Sequence, residues 1–499
     1  MQNGHSILIP ILFLFIVGCQ RQSETTDGNL TIWPQFRGSN CSGHAGEGQN
    51  LPVKFSTTQN VFWKTSISKG YSSPCVWENH IFLTGCDVNK KELSVFCLNR
   101  DTGTMIWEQV IPVEKVEKQN KRSWPANSTV ATDGERIYVY FGSVGLLCYD
   151  FVGEQQWTVS LPIPKTRHGM GTSPIVTGEL VILNVEDKND PKIMAFDRRS
   201  GNIMWEQKQP SLSKLPPESY STPVVWNGQL IIYRRGEIVG HDYQTGKRIW
   251  WFNTATCGGS TPVIANDILF VETYAMLGEP KYHVILPDYV SLVNQHDRDN
   301  NLMISKGEFP TDLAIVNRPE MGGSYGRKPL KEWFKDFDTN KDSLLDKTEW
   351  EKTVDDLTAF YQEHGLVAIK LGGIGDITHT HFLWKVIEDI PEVPSPIVVD
   401  GNVYMIKNGG IVSCIKADTG KLLFRERLGA LGPYFSSPVV ADGRIYISSR
   451  KGIVTVFEAS NKLKILAKND LEAEICATPA IVDNKLYLRT EEHLYAFAN

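Results

Sequence analysis

Eight stretches of the chain repeat one order of apolar and polar positions: SSPCVWENHIFLTG, NSTVATDGERIYVYFG, TSPIVTGELVILN, STPVVWNGQLIIY, STPVIANDILFVE, PSPIVVDGNVYMIK, SSPVVADGRIYIS and ATPAIVDNKLYLRT. In each, a short run of Val, Ile or Ala is broken by a polar turn such as DG or NG, and an alternating apolar run resumes. Such a pattern predicts two strands joined by a tight turn at positive φ. Aligned on their Pro, the copies register at Pro74, Thr129, Pro174, Pro223, Pro262, Pro396, Pro438 and Pro479. A second motif follows most copies, as NRDTGTMIW, DFVGEQQW, DRRSGNIMW, DYQTGKRIW and ADTGKLLF, ending at Trp107, Trp157, Trp205, Trp250 and Phe424. It reads as strand, turn, and strand closed by an aromatic ring, so each repeat of ~42 residues supplies the four strands of a β-propeller blade.

The predicted fold is therefore all-β, an eight-bladed propeller. The last copy ends after one further strand, EHLYAFAN, whereas NVFWKTS (60–66) precedes the first hairpin and carries Trp63 where the aromatic belongs. This N-terminal strand is expected to complete the eighth blade, which removes both free sheet edges. The aromatic residues are expected to pack between neighbouring sheets, where their large apolar area holds blades together.

One interval, 134 residues from Pro262 to Pro396, is far longer than the others. The surplus places an insertion (280–362) inside the fifth blade, between blade segments at 33–279 and 363–499. It contains DTNKDSLLDKTE (338–349) and DRDNNLMISKGE (297–308), both with the oxygen pattern of an EF-hand loop. The ligands would be Asp338, Asn340, Asp342, the Leu344 carbonyl, Asp346 and Glu349 in one, and Asp297, Asp299, Asn301, the Met303 carbonyl, Ser305 and Glu308 in the other. Calcium takes six to eight hard oxygens, and alternating donors closed by a bidentate Glu wrap such a shell around one ion. Position 6, where the loop turns sharply, is Leu302 or Ser343 instead of Gly, a left-handed residue costing roughly 1–2 kcal/mol. Ile304 and Leu345 are placed to pair the loops through a short β-bridge. The module is expected to be calcium-loaded and to stiffen an appendage on the propeller rim.

Residues 7–17, ILIPILFLFIV, are too short to span a bilayer as a helix and run into IVGC. This resembles the lipobox of bacterial lipoproteins and implies a signal peptide (1–18), acylation of Cys19 and a polar tether (19–32). Gln20 after that Cys points to the outer membrane, facing the periplasm. The other eight cysteines, several within apolar runs, read as buried thiols in preference to a disulfide framework. A net charge of −6 without a basic run excludes nucleic acid as a partner.

The A-x-D-x-x-T-G-x-x-x-W strand pair, the SP-V-V-x-DG hairpin and the opening WPQFRGSNCSG (33–43) resemble the PQQ-binding-like β-propeller repeat family, over roughly residues 33–275 and 366–499. That family includes eight-bladed quinoprotein dehydrogenases and the propeller lipoprotein of the outer-membrane barrel-assembly machine, so the resemblance implies the fold and leaves several functions open. The chain is read as a monomeric, non-enzymatic binding or scaffold protein for a protein or glycan partner on its loop face. His168, Lys407, Asn408 and Tyr434 lie in loops beside the blades and are the candidate contacts. The alternatives are a PQQ-dependent dehydrogenase, which lacks here the adjacent-cysteine pair and haem domain such enzymes carry, and an outer-membrane protein assembly factor.

Overall fold

The computed structural model describes residues 32–117, 120, 122–185, 187–209, 219–254, 259–274, 279, 282, 285–316, 327–362 and 364–499. The expected signal peptide, Cys19 and most of the tether lie outside the described residues, as does Cys257. Eight four-stranded antiparallel arrays follow one another, and we number them as blades 1–8 in chain order. Blade 1 runs from Cys75–Trp77 through His80–Asp87 and Glu92–Asn99 to Met105–Pro112. Blade 8 takes Ala480–Val482, Lys485–Arg489 and His493–Phe497 from the end of the chain and borrows its outer strand, Val61–Ser66, from the beginning. In that last pair Trp63 stands opposite Ala496.

The inner hairpins turn where their sequences predict. Asp400 and Gly401, at φ 48° and 71°, and Asp442 and Gly443, at 48° and 67°, hold both central positions in the left-handed region, as a two-residue turn matched to strand twist requires. Burial grades outward. The middle strands are buried on both faces, while outer strands such as Met105–Pro112 alternate between exposed and half-buried positions.

Five closing tryptophans tie their blade to the next through the same two contacts. Trp63, Trp107, Trp157, Trp205 and Trp384 donate Nε1–H to the carbonyls of Arg100, Phe151, Arg198, Tyr243 and Ala417 at 2.8–3.2 Å. Their rings lie flat against Gly103, Gly153, Gly201, Gly246 and Gly420 of the following blade, where a Cβ would approach ring carbons to 2.5–2.9 Å. These glycines also have φ of 70–88°, so the turn and the ring demand the same residue. Cys97, Cys148 and Cys414 oppose Trp107, Trp157 and Phe424 across the strand pair, where a small apolar side chain leaves room for the aromatic. All described cysteines are free thiols.

Trp250 departs from the pattern. Its Nε1–H donates to Gln229 Oε1 within its own blade, and its ring covers Gly240. Blade 5 has no T-G turn to offer it; the connection there is LGGIGDITHTH (371–381), which pairs Gly375–Asp376 in parallel with Trp250–Trp251.

Blade 2, whose repeat lacks the Pro, registers one residue later than expected: Val130, not Thr129, is the counterpart of the prolines. The hydroxyl residue before that position forms a closed ring around the axis. The backbone N–H of Ser73, Thr129, Ser173, Thr222, Thr261, Ser395, Ser437 and Thr478 each donates to the hydroxyl of the next member, at 2.9–3.3 Å, and Thr478 returns to Ser73. Each repeat thus satisfies a buried amide that sheet pairing leaves over.

Residues 33–55 cross one end of the ring. Trp33 pairs with Val76 of blade 1, the Thr132 amide of blade 2 donates to the Pro34 carbonyl, and Asn40 exchanges two hydrogen bonds with Val225 of blade 4. The Arg37 guanidinium, fully buried, donates to the carbonyls of Pro396 and Pro438. In blade 5 the chain leaves the sheet at Thr273 and rejoins it at Gly365. Between these points lie helices α1 (Tyr289–His296), α2 (Phe334–Phe337) and α3 (Lys347–Gln362), with a core of their own around Phe309, Phe334, Leu345 and Trp350.

Candidate functional site

A cavity of about 820 Å³ opens on the axis, opposite the crossing N-terminal segment. Its floor is Phe36 and the hydroxyl ring, seven of whose eight members line it. Two residues earlier in every repeat, the alternation of an extended chain brings another side toward the axis. Tyr71, Asn127, Gly171, Tyr220, Gly259, Val393, Phe435 and Cys476, each three residues before its Pro or Val130, all line the cavity. The floor column is uniformly Ser or Thr and serves the fold. The wall column differs from blade to blade, with aromatic rings on blades 1, 4 and 7 and glycine on blades 3 and 5, and so gives the funnel its shape.

Loops between blades add Arg122, Arg167, His168 and Glu392, a hairpin turn of blade 4 adds Arg235, and the start of the insertion adds Tyr274. Arg122 is paired with Glu392 across the funnel at 2.5 Å. His168 Nδ1 lies 2.9 Å from Asn120 Nδ2, and its ring packs 5.8 Å from that of Tyr220. On the opposite wall Tyr71 and Arg450 both donate to Glu474 Oε1, at 2.9 and 2.7 Å. Burial pushes the Glu474 carboxyl up, but these two donors outweigh it and hold the group below the usual carboxylate range. Burial raises the neighbouring Cys476 thiol, which is therefore protonated at neutral pH. Behind Met170, Glu117 Oε2 accepts the Met170 N–H at 3.0 Å, and burial pushes this carboxyl up to about 7.

The helical insertion forms the mouth. Lys328, Trp333, Asp336, Phe337 and Thr339 line it, together with Glu349, Lys352, Thr353, Asp356 and Leu357, which are one face of α3 at helical spacing. The expected rim appendage is thus a wall of the central cavity. The sequence shows where the insertion leaves the blade; the direction in which it folds back is set by tertiary packing. The funnel's charged lining has five Lys and Arg against four Asp and Glu, so it carries no single-sign field.

The loops at 297–308 and 338–349 share one internal network. The position-6 amides of Leu302 and Ser343 donate to Asp297 Oδ2 and Asp338 Oδ2 at 2.8 and 3.0 Å. The Met303 and Leu344 amides donate to Asn301 Oδ1 and Asp342 Oδ1, both at 2.8 Å. Leu302 and Ser343 have φ of 63° and 71°, the strained turn that a missing glycine leaves. Ile304 and Leu345 pair in an antiparallel bridge. Carboxylate oxygens of Asp297, Asp299 and Glu308 converge within 4.8 Å of one another. Asp338 is 8% exposed and its Oδ1 accepts no hydrogen bond. Glu349 Oε1 accepts from the amides of Thr339 and Asn340, and Asp346 Oδ1 accepts the Glu349 amide. Ser305 Oγ donates to Glu308 Oε2 at 2.7 Å, and this bond with those from the Arg298 and Ser305 amides brings the carboxyl down to about 2.

Of the four candidate contact residues, only His168 reaches the funnel. Lys407 is buried in ion pairs with Glu279 and Asp389, which also binds Arg425. Asn408 Oδ1 accepts the Tyr434 amide, and the Tyr434 hydroxyl donates to the Ala430 carbonyl. Lys407 thus ties blade 6 to the blade 5 side, while Asn408 and Tyr434 brace blade 6 against the connection to blade 7, and these side chains are spent on internal contacts.

None of the curated proteins compared with the chain matches it. Among solved structures, BamB from Moraxella catarrhalis superposes with a TM-score of 0.51 at 12% identity, covering 88% of this chain and 98% of its own. A europium-containing methanol dehydrogenase gives 0.56 at 11%, covering 94% and 98%, and a quinohemoprotein alcohol dehydrogenase from Comamonas testosteroni gives 0.54 at 11%, covering 95% and 81%. At such identities the likeness is one of fold. The family model described as outer membrane protein assembly factor BamB matches residues 91–276 and 381–462, just over half of the chain, and the protein belongs to that family.

Proposed function

We propose that the protein is an exported, membrane-anchored binding or scaffold protein that takes a polar ligand, a glycan or a segment of a protein partner, into its axial funnel. The observation that carries this reading is the wall column of the repeat. Its uneven aromatic rings, Tyr71, Tyr220 and Phe435, stand above a floor of hydroxyls. Aromatic faces with hydroxyl and guanidinium groups at their edges suit the alternating apolar and polar surfaces of sugars and extended peptides. The family's description favours a segment of an outer-membrane protein over a soluble partner. Acylation of Cys19 would hold the protein at the membrane; acyl-chain labelling of the wild type and its loss in Cys19→Ser tests that point.

Calcium fits the insertion. The second loop would hold it through Asp338, Asn340, Asp342, the Leu344 carbonyl, Asp346 and Glu349, and the first through Asp297, Asp299, Asn301, the Met303 carbonyl, Ser305 and Glu308. The buried, unshared Oδ1 of Asp338 supports this, because a buried polar oxygen without a donor is costly until a cation meets it. The ion would contribute charge neutralisation and rigidity.

A photo-crosslinking residue at Tyr220 tests the funnel in cells. A covalent adduct with polypeptide or glycan supports the reading. The competing reading, a PQQ-dependent dehydrogenase, is tested by adding PQQ and calcium to the soluble form and following dye reduction with alcohols and aldoses. Saturable, PQQ-dependent turnover with no adduct at Tyr220 overturns the binding role.

A further inference from the structure

The second calcium loop and the funnel share a helix. Glu349, the loop's last ligand position, is also the first member of the α3 face, with Lys352, Thr353, Asp356 and Leu357, that walls the cavity mouth. The other stripe of the same helix, through Trp350 and Val354, is packed in the insertion's own core, and Trp350 Nε1 donates to the Pro287 carbonyl at 2.9 Å. The helix is therefore held between two environments, and its first turn is positioned by the loop. Glu349 Oε1 accepts three bonds there, from the Thr339 amide, the Thr339 hydroxyl and the Asn340 amide. Thr339 itself lines the funnel. Asp338, one residue earlier, presents its enclosed, unshared Oδ1 as the place where a cation would enter this arrangement.

We infer that calcium at 338–349 and occupancy of the funnel are linked: the ion fixes α3 against the blade loops, so calcium closes the funnel mouth and a funnel ligand tightens calcium. This rests on the funnel being the binding site and on the second loop being a calcium site. An ion that joins Asp338 to Glu349 ties the end of α2 to the start of α3, and both ends contribute to the mouth. By reciprocity, any ligand that touches Lys352 or Asp356 acts back on the ion.

The test uses the full chain and calcium alone as the probe. Calorimetry with chelator-stripped protein measures calcium binding, and hydrogen exchange with and without calcium follows the blade loops at 167–171, 392–395 and 435–437. These loops lie outside the insertion. With calcium bound, exchange at 338–349 and exchange in these loops are both expected to slow about fivefold or more, the lower end of ordinary coupling. Asp338→Asn should lose both effects, and Glu349→Gln serves as a second variant if the first does not fold. Calcium binding with protection confined to 297–357 overturns the linkage while leaving the calcium site intact. Absence of calcium binding in calorimetry overturns the site and the linkage together.

Discussion

Replacing Gly201 by alanine separates two demands that the fold places on one residue. Gly201 has φ 73°, and a Cβ there would lie 2.7 Å from Cδ2 and Cε3 of Trp157. Gly443 has φ 67° with nothing within 4 Å of its would-be Cβ. Both substitutions incur the left-handed penalty of roughly 1–2 kcal/mol, partly offset by reduced freedom of the unfolded chain. Only Gly201→Ala must also displace a tryptophan ring, an overpacking cost of about 1–3 kcal/mol. The difference between the two variants should therefore be ~1–3 kcal/mol, and it belongs to the contact between blades 2 and 3. Guanidinium unfolding followed by both fluorescence and far-UV circular dichroism measures it, with coincidence of the two probes as the check on a single transition. In a Trp157→Leu background the extra cost of Gly201→Ala should vanish, which a double-mutant cycle reads as coupling. Equal destabilisation by Gly201→Ala and Gly443→Ala, within about 0.5 kcal/mol, would refute the view that the glycine is kept for the ring.

Thr222→Val keeps side-chain shape but removes the acceptor of the Ser173 amide, at 3.3 Å, and should cost about 1–3 kcal/mol in denaturant unfolding, whereas Thr222→Ser should cost less. Glu117 has a folded pKa of about 7 against an ordinary 4.5, so the folded state keeps a proton that the unfolded state releases. Its stabilising contribution is present below pH 4.5 and is lost as pH rises through about 7; Glu117→Gln should flatten that fall, with a gain of about 2–3 kcal/mol above pH 7 by thermal melts across pH. Leu302 is 70% exposed and already left-handed, so Leu302→Gly should leave calcium affinity within about twofold by calorimetry and appear as a modest gain in stability of the insertion.

The blade count, the closing strand and the aromatic position were legible because each rests on a local pattern repeated eight times, and repetition averages away the ambiguity of a single strand. Where one copy lost its marker, the alignment slipped. Blade 2 has Val130 in place of Pro, and the hydrogen bonds from Ser73 to Thr129 and from Thr129 to Ser173 restore the register. Trp250 reads like its counterparts but finds no glycine turn opposite, because the blade 5 connection is longer. The wall of the funnel was present in the repeat, three residues before each Pro or Val130, as a column that varies while the hydroxyl column two positions later does not. Lys407, Asn408 and Tyr434 show the limit of loop position as a guide. A polar residue beside a blade either faces the axis or folds beneath it, and the ion pairs that decide between these come from residues far away, Glu279 and Asp389.

The ring of hydroxyl bonds has a consequence for how the molecule is made. Its final link, from Thr478 to Ser73, spans almost the whole chain, and Val61–Ser66 waits for His493–Phe497 before it can pair. A polypeptide that emerges from its N-terminus can therefore pair the strands of blades 1–7 as separate sheets, while Val61–Ser66 stays unpaired and the ring stays open until the last residues arrive. Loss of either terminal segment would leave its partner strand with an unpaired edge facing solvent, a template for aggregation rather than a smaller propeller.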